Sequence, residues 1–388
     1  MRIMKSSKYW YYLLVVAPFV NIANYRAGEL FGLLLMVVPL FLFVLTGKRR
    51  HSINNYEKTV WHLSLSSIIV ISIGIAFSIA YSIDNFYFYR FFCLSFFLLP
   101  IFFIWGNSEC FIHDKLLGLL KYYIVLISSS IVLGALLKAF GLDSLEPMYD
   151  VELYTYLTRP FGIFGQPSVN SCLLCFFYLF HRSATKLFSD SYLLGKDWLF
   201  FVVTLGVIFQ GSGSGFISYT FVLLAKFSGK NYKIPWFRIC LISILTIIVL
   251  YQIVLSGVID KISIEYIEYL MDFVNDDLIN PYKKMIKNTA FLLWGVPEFP
   301  LSIDLGPLFM LGTIGLVMTT YIFLFLIYML NKTNSLDMKI GFLSLIVGNL
   351  HYPVMFYMIM HFMWYIIIYY VLVIEKKMAY CIKPRRLE

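Results

Sequence analysis

Three arginines break the charge pattern of this chain. Arg26, Arg90 and Arg159 lie on the side of its apolar runs where lysine and arginine are otherwise scarce. A guanidinium held at membrane depth costs about 2–3 kcal/mol and less near the interface, so each needs a reason. Arg90 sits about a turn inside the end of its run. It either snorkels to the headgroups or forms an anion site between helices. Arg26 fits a short connecting turn. Arg159 has the richest setting, Arg159-Pro160-Phe161-Gly162-Ile163-Phe164-Gly165-Gln166-Pro167, followed by Ser168 and Asn170. Two glycines, two prolines and two aromatics make a shaped loop rather than a flexible one. The loop runs into a new apolar helix with Ser168 near its start. An arginine beside free helix N–H groups can hold phosphate. The same pattern also suits a structural turn at the membrane surface.

Groups that could move a proton are few on that side. Asp304 stands at the end of a long connection, and His351 lies in Asn349-Leu350-His351-Tyr352-Pro353, with His361 beyond it. The other histidines, His51, His62, His113 and His181, map to the basic side. The run Gln210-Gly211-Ser212-Gly213-Ser214-Gly215 separates two apolar stretches. It fits close helix packing at a tight turn. A Gly-rich nucleotide loop is excluded because no strand precedes it. Cys172 and Cys175 lie within one run with no second pair, which fits small core residues better than a metal or redox site. The cysteines avoid the outer connections, so no disulfide is expected. Asp276-Asp277 fits a solvated loop. No metal or other cofactor is expected.

The elements that must position these residues are transmembrane helices. The chain has 388 residues, 60% of them hydrophobic and 14% charged, more apolar surface than a soluble fold can hide. The fold class expected is an all-α polytopic membrane protein, since a β-barrel would show short alternating segments. About twelve spans fit, over 9–25, 29–46, 60–82, 86–105, 117–140, 168–182, 197–211, 214–228, 236–258, 305–330, 338–352 and 359–374. Basic clusters such as Lys48-Arg49-Arg50, Arg182 with Lys186, Lys226, Lys332 and Lys376-Lys377 then share one side. The positive-inside rule makes that side cytoplasmic, with both termini. It also accounts for the net charge of +9 without a nucleic-acid partner. The first run lacks a small-residue cleavage site and reads as an uncleaved helix. Residues 1–388 form one membrane domain without a soluble unit or solenoid repeat. Two long extracytoplasmic connections, 141–167 and 259–304, are acidic and long enough to be functional. In the second, Ile264, Ile267, Leu270, Met271 and Val274 recur at helical spacing, and a second helix reads from Tyr282 to Trp294.

Four stretches together resemble a known family. Arg159-x-x-Gly162-x-x-x-x-Pro167 with Asn170 and a new span looks like the outer-loop signature of Wzy-type O-antigen polymerases, shared with the O-antigen ligases. Gln210 to Ser218 resembles the family's small-residue hairpin, with Gly213 or Ser214 where that motif carries an arginine. Trp294-Gly295 through Asp304 to Gly315 resembles the end of the second large loop and the next helix, with Asp304 where ligases have histidine. Asn349 to Pro353 is the fourth. These patches cover about a fifth of the chain. The resemblance implies a membrane glycosyltransferase of lipopolysaccharide biosynthesis in the bacterial inner membrane. It would join undecaprenyl-pyrophosphate-linked oligosaccharides, working beside a chain-length regulator and a flippase. Arg159, Arg90 and Arg26 would bind pyrophosphate. Asp304 or His351 would orient or deprotonate the acceptor hydroxyl. Tyr154, Phe164, Trp294 and His361 would contact sugar. A ligase is the rival within the same chemistry. A flippase or other transporter is the rival class, disfavoured by unequal halves and long outer loops.

Overall fold

The computed structural model describes residues 15–16, 18–19, 55–80, 108–145, 159–188, 197–228, 283, 287–295 and 306–382. Arg26, Arg90, Tyr154 and Asp304 lie outside these residues. So do most of the expected first, second, fourth and ninth spans and the amphipathic stretch around Ile267. Helices account for 88% of what is described, and no strand occurs there.

The helices, in chain order, are α1 (Asn55–Ala80), α2 (Ser108–Ala139), α3 (Pro167–Phe188), α4 (Trp198–Gln210) and α5 (Gly213–Phe227). They continue as α6 (Thr289–Trp294), α7 (Gly306–Lys332), α8 (Leu336–His351), α9 (Met358–Tyr369) and α10 (Glu375–Ile382). A π-helical turn, Tyr370–Ile374, joins the last two. Among the described residues two helices are long and apolar enough to cross a membrane, Lys115–Ala139 within α2 and all of α7. At about 1.5 Å per residue the α2 segment exceeds a hydrocarbon core of about 30 Å.

Local chemistry sets the ends. Asp197 accepts from the Phe200 N–H to start α4, and Gly211 closes that helix in the left-handed region. Ser212 accepts from the Gly215 N–H to start α5, so one short turn reverses the chain. Ser335 caps α8 in the same way.

Helix α3 is the axis of the bundle. From Val169 to Phe180 every residue is buried, and α2, α4, α5 and α8 all pack against it. Its middle, Leu173 to Phe180, is apolar but for the Tyr178 hydroxyl, while the buried polar groups Asn170, Ser171, Arg182 and Ser183 lie toward its two ends. Small residues let neighbours approach. A Cβ on Gly215 would fall 2.5 Å from that of Ser171, and one on Gly348 would fall 2.2 Å from the Cys172 sulfur.

Two sequence expectations change here. The helix expected from Tyr282 to Trp294 is interrupted at Asn288, whose extended backbone and side-chain bond to the Ala290 N–H begin a separate helix, α6. The expected span over 305–330 is not one straight helix. Gly315, at φ 75° and ψ 173°, breaks α7, in a region that only glycine occupies readily. The cause is α6. Its Leu293 carbonyl would lie 2.1 Å from a Cβ on Gly315, while the Thr313 carbonyl would lie 2.6 Å from one on Gly295 (φ 104°). The backbones of α6 and α7 interlock at these two glycines.

Candidate functional site

The Arg159 loop is held by side chains from three helices. Three consecutive carbonyls each accept one donor. Lys138 of α2 donates its ammonium to the Arg159 oxygen. Gln210 of α4 donates its amide to the Pro160 oxygen. Asn170 of α3 donates to the Phe161 oxygen at 2.7 Å. Asn170 also donates to Gln166 at 2.8 Å and accepts from the Phe164 N–H at 3.2 Å. The Ile163 N–H donates to Ser130 Oγ of α2 at 3.1 Å. Gly162 (φ 64°) has no room for a Cβ, which would meet the Asn170 amide at 2.8 Å. Such a loop has its backbone hydrogen bonds made and its conformation fixed in advance. Arg159 itself is exposed. Partial desolvation lowers its pKa from the ordinary arginine value, and it stays a cation.

The other motif stretches meet this loop at the same end of the bundle. Ser168, in the first turn of α3, lies 3.1 Å from Ser212 in the α4–α5 turn, which lies 3.1 Å from Ser214. Phe164 meets Tyr357 edge to face at 6.0 Å between centroids, joining the loop to the start of α9. The first residue of α7, Gly306, abuts the end of α8. A Cβ there would fall 1.9 Å from the Asn349 carbonyl and 3.2 Å from the Tyr352 carbonyl carbon. Asn349 in turn accepts from the Met355 N–H at 3.1 Å and fixes the turn that follows α8. His351 is exposed at this turn with its ring stacked 5.6 Å from that of Tyr352. Asp304 lies outside the described residues, two positions before Gly306. His361 lies in α9.

Two of the rings expected to contact sugar are buried. Phe164 is 2% exposed and Trp294 is 7% exposed. Trp294 stacks on Phe77 of α1 at 4.6 Å and 11°. Neither ring presents a free face for a sugar in this conformation, because both complete helix packing. Phe161 is fully buried for the same reason. Lys138 belongs to the last turn of α2 and meets the Arg159 loop there. No local signal marks these contacts, because Lys138 and Gln210 reach the Arg159 loop only through the packing of the bundle.

The opposite end carries a buried polar cluster that charge counting passed over. Arg182 (4% exposed) donates through Nε to both oxygens of Asp337 (1% exposed) at 3.2 Å. Its terminal nitrogen donates to the Ala225 carbonyl at 3.1 Å. Lys186 reaches the same Asp337 at 2.6 Å. Ser183 donates to Ser335 at 2.7 Å and lies 3.0 Å from the Tyr370 hydroxyl. Glu375 (3% exposed) accepts from the Thr333 hydroxyl and the Asn334 N–H. Arg182 and Lys186 therefore tie α3 to α5 and α8.

Among the described residues no three His, Cys, Asp or Glu side chains gather as a metal ion would need. Compared with known proteins, the chain matches no family model, no curated protein and no solved structure.

Proposed function

We propose that this protein polymerises undecaprenyl-pyrophosphate-linked oligosaccharide repeat units into O-antigen or a related surface polysaccharide. It would act at the outer face of the bacterial inner membrane as a multi-pass protein of about twelve spans with both termini in the cytoplasm. One observation carries the reading. The motif stretches around Arg159, Gln210–Gly215, Gly306 and Asn349–Tyr352 are far apart in sequence, yet they gather at one end of the bundle. That end has an exposed arginine on a fixed loop and an exposed histidine, the groups a transfer from pyrophosphate needs.

In this reaction the acceptor hydroxyl oxygen bonds to the anomeric carbon of the donor sugar. The bond from that carbon to the pyrophosphate oxygen breaks, and the lipid pyrophosphate leaves with the electron pair. The hydroxyl proton passes to a base. Arg159, with Arg90 and Arg26 as further cations, offsets the charge growing on the leaving group. Asp304 or His351 takes or orients the proton. Sugar contacts fall to Tyr154 and His361, since Phe164 and Trp294 are occupied by packing.

The test is complementation by Arg159→Ala in a cell lacking the native gene, with surface glycan resolved on a gel and protein levels matched. The expected result is collapse of the ladder to a single repeat unit on the lipid core. Loss of all attached glycan would favour a ligase or a flippase instead. An intact ladder would remove Arg159 from the site.

A further inference from the structure

We infer that Lys138 is the second cation of the Arg159 site, and that the pair is built for a diphosphate rather than a single phosphate. The inference rests on the polymerase reading and adds a residue that none of the motif stretches contains. Helix α2 places Lys138 in its last turn, at the same end of the bundle as Arg159. Its neighbours show which way it faces. Leu133, Leu136 and Ala139 are exposed positions of this part of α2, the two leucines at 52% and 50%. At about 100° per residue, Lys138 falls on nearly the opposite side of the helix, toward the bundle. A lysine that only snorkelled to headgroups would lie on the lipid-facing stripe. This one is half-buried. Its ammonium stands 4.9 Å from the centroid of the buried Phe161 ring and touches the carbonyl of Arg159 itself. The Arg159 side chain leaves the loop at this residue, and the Lys138 ammonium, reaching in from α2, ends on its carbonyl.

An ammonium that only held the loop would need to be a donor and nothing more. A ligand carrying two adjacent phosphoryl groups offers each cation its own anionic partner. Arginine supplies the planar fork that grips one phosphate in two places. Lysine supplies a compact point charge that can follow the second. The loop bonds from Gln210 and Asn170 keep the backbone between them fixed, so the ligand need not order it.

The experiment uses the full-length protein in lipid nanodiscs. The probes are undecaprenyl pyrophosphate, undecaprenyl phosphate and inorganic pyrophosphate, with affinities read by ligand competition. The variants are Lys138→Gln, which keeps a donor for the Arg159 carbonyl but removes the charge, and Lys138→Arg, which keeps both. Wild type is expected to favour the lipid diphosphate over the lipid monophosphate by about tenfold. Lys138→Gln should abolish that preference while leaving monophosphate binding within about twofold, and Lys138→Arg should restore it. Equal loss of both lipids in Lys138→Gln would make Lys138 a loop brace only and overturn the inference. So would an unchanged preference, and in both cases the polymerase reading would stand. Inorganic pyrophosphate bound as tightly as the lipid form would place a free anion, not a lipid headgroup, between the two cations and overturn the assignment. A wild type that bound none of the probes would overturn both readings.

Discussion

Asp337 shows how much one buried carboxylate can carry. It faces a buried guanidinium and an ammonium that is 43% exposed. Replacing it with Asn keeps the volume and one acceptor but strands the Arg182 charge. Removing one partner of a buried pair typically costs about 3–5 kcal/mol. Asp337→Asn is therefore expected to lower the thermal unfolding midpoint of the detergent-solubilised protein sharply. Lys186→Met, which removes only the exposed partner, should cost about 1 kcal/mol or less. Equal effects would mean that the two cations share the load. The pairing was not legible in the sequence. Arg182 and Asp337 are 155 positions apart, and a basic residue at the cytoplasmic end of a span has a sufficient explanation in topology alone. Arg159 was legible because its own neighbours, Pro160, Gly162 and Gly165, announce a fixed turn. The burial of Phe161 and Phe164 was not, since groups that meet them, Lys138 and Tyr357, come from distant segments.

Among the elements, the start of α3 and both ends of α4, α5 and α8 could be read to within a few residues, because caps such as Asp197, Ser212 and Ser335 and the turn glycine Gly211 are local signals, whereas α3 runs on to Phe188, past the expected end at 182. The break in α7 was not readable. Leu311-Gly312-Thr313-Ile314-Gly315 is an ordinary apolar stretch until α6 is laid against it. The interlock predicts a strong asymmetry between glycines. Gly315→Ala would place a Cβ 2.1 Å from the Leu293 carbonyl, at a backbone conformation that costs a non-glycine residue about 1–3 kcal/mol before any clash. It should expel α6 from its seat, lower the unfolding midpoint and abolish complementation. Gly118→Ala, on an open face of α2 with nothing within 4 Å, should leave both unchanged or raise stability slightly. A Gly315→Ala protein that folds and complements like wild type would mean that α6 is not seated on α7 in the cell.

At the scale of the molecule the two ends differ in kind. One gathers Arg182, Lys186, Lys226, Lys332, Lys376 and Lys377 at helix ends and connections, the other Lys138, Arg159 and His351. With the first end in the cytoplasm, the positive-inside rule is met. A fluorescent protein fused after Glu388 should then fold and fluoresce. A periplasmic reporter such as alkaline phosphatase fused after Gly141 should be active, and one fused after Phe188 inactive. Reversal of the last two would invert the topology and put the Arg159 loop on the wrong face for a lipid-linked glycan donor.

The reach of Arg182 to Asp337 also sets a clock on biogenesis. Synthesis at about 5–20 residues per second separates the two partners by roughly 8–30 s. During that interval α3 is complete but its guanidinium has no carboxylate to meet. The nascent chain must hold that charge among anionic headgroups or within the insertion machinery until α8 emerges. The central helix of the bundle is thus among the later elements to settle, although it is made before the midpoint of the chain. A ribosome stalled short of residue 337 would leave a set of inserted helices with no stable way to close around it.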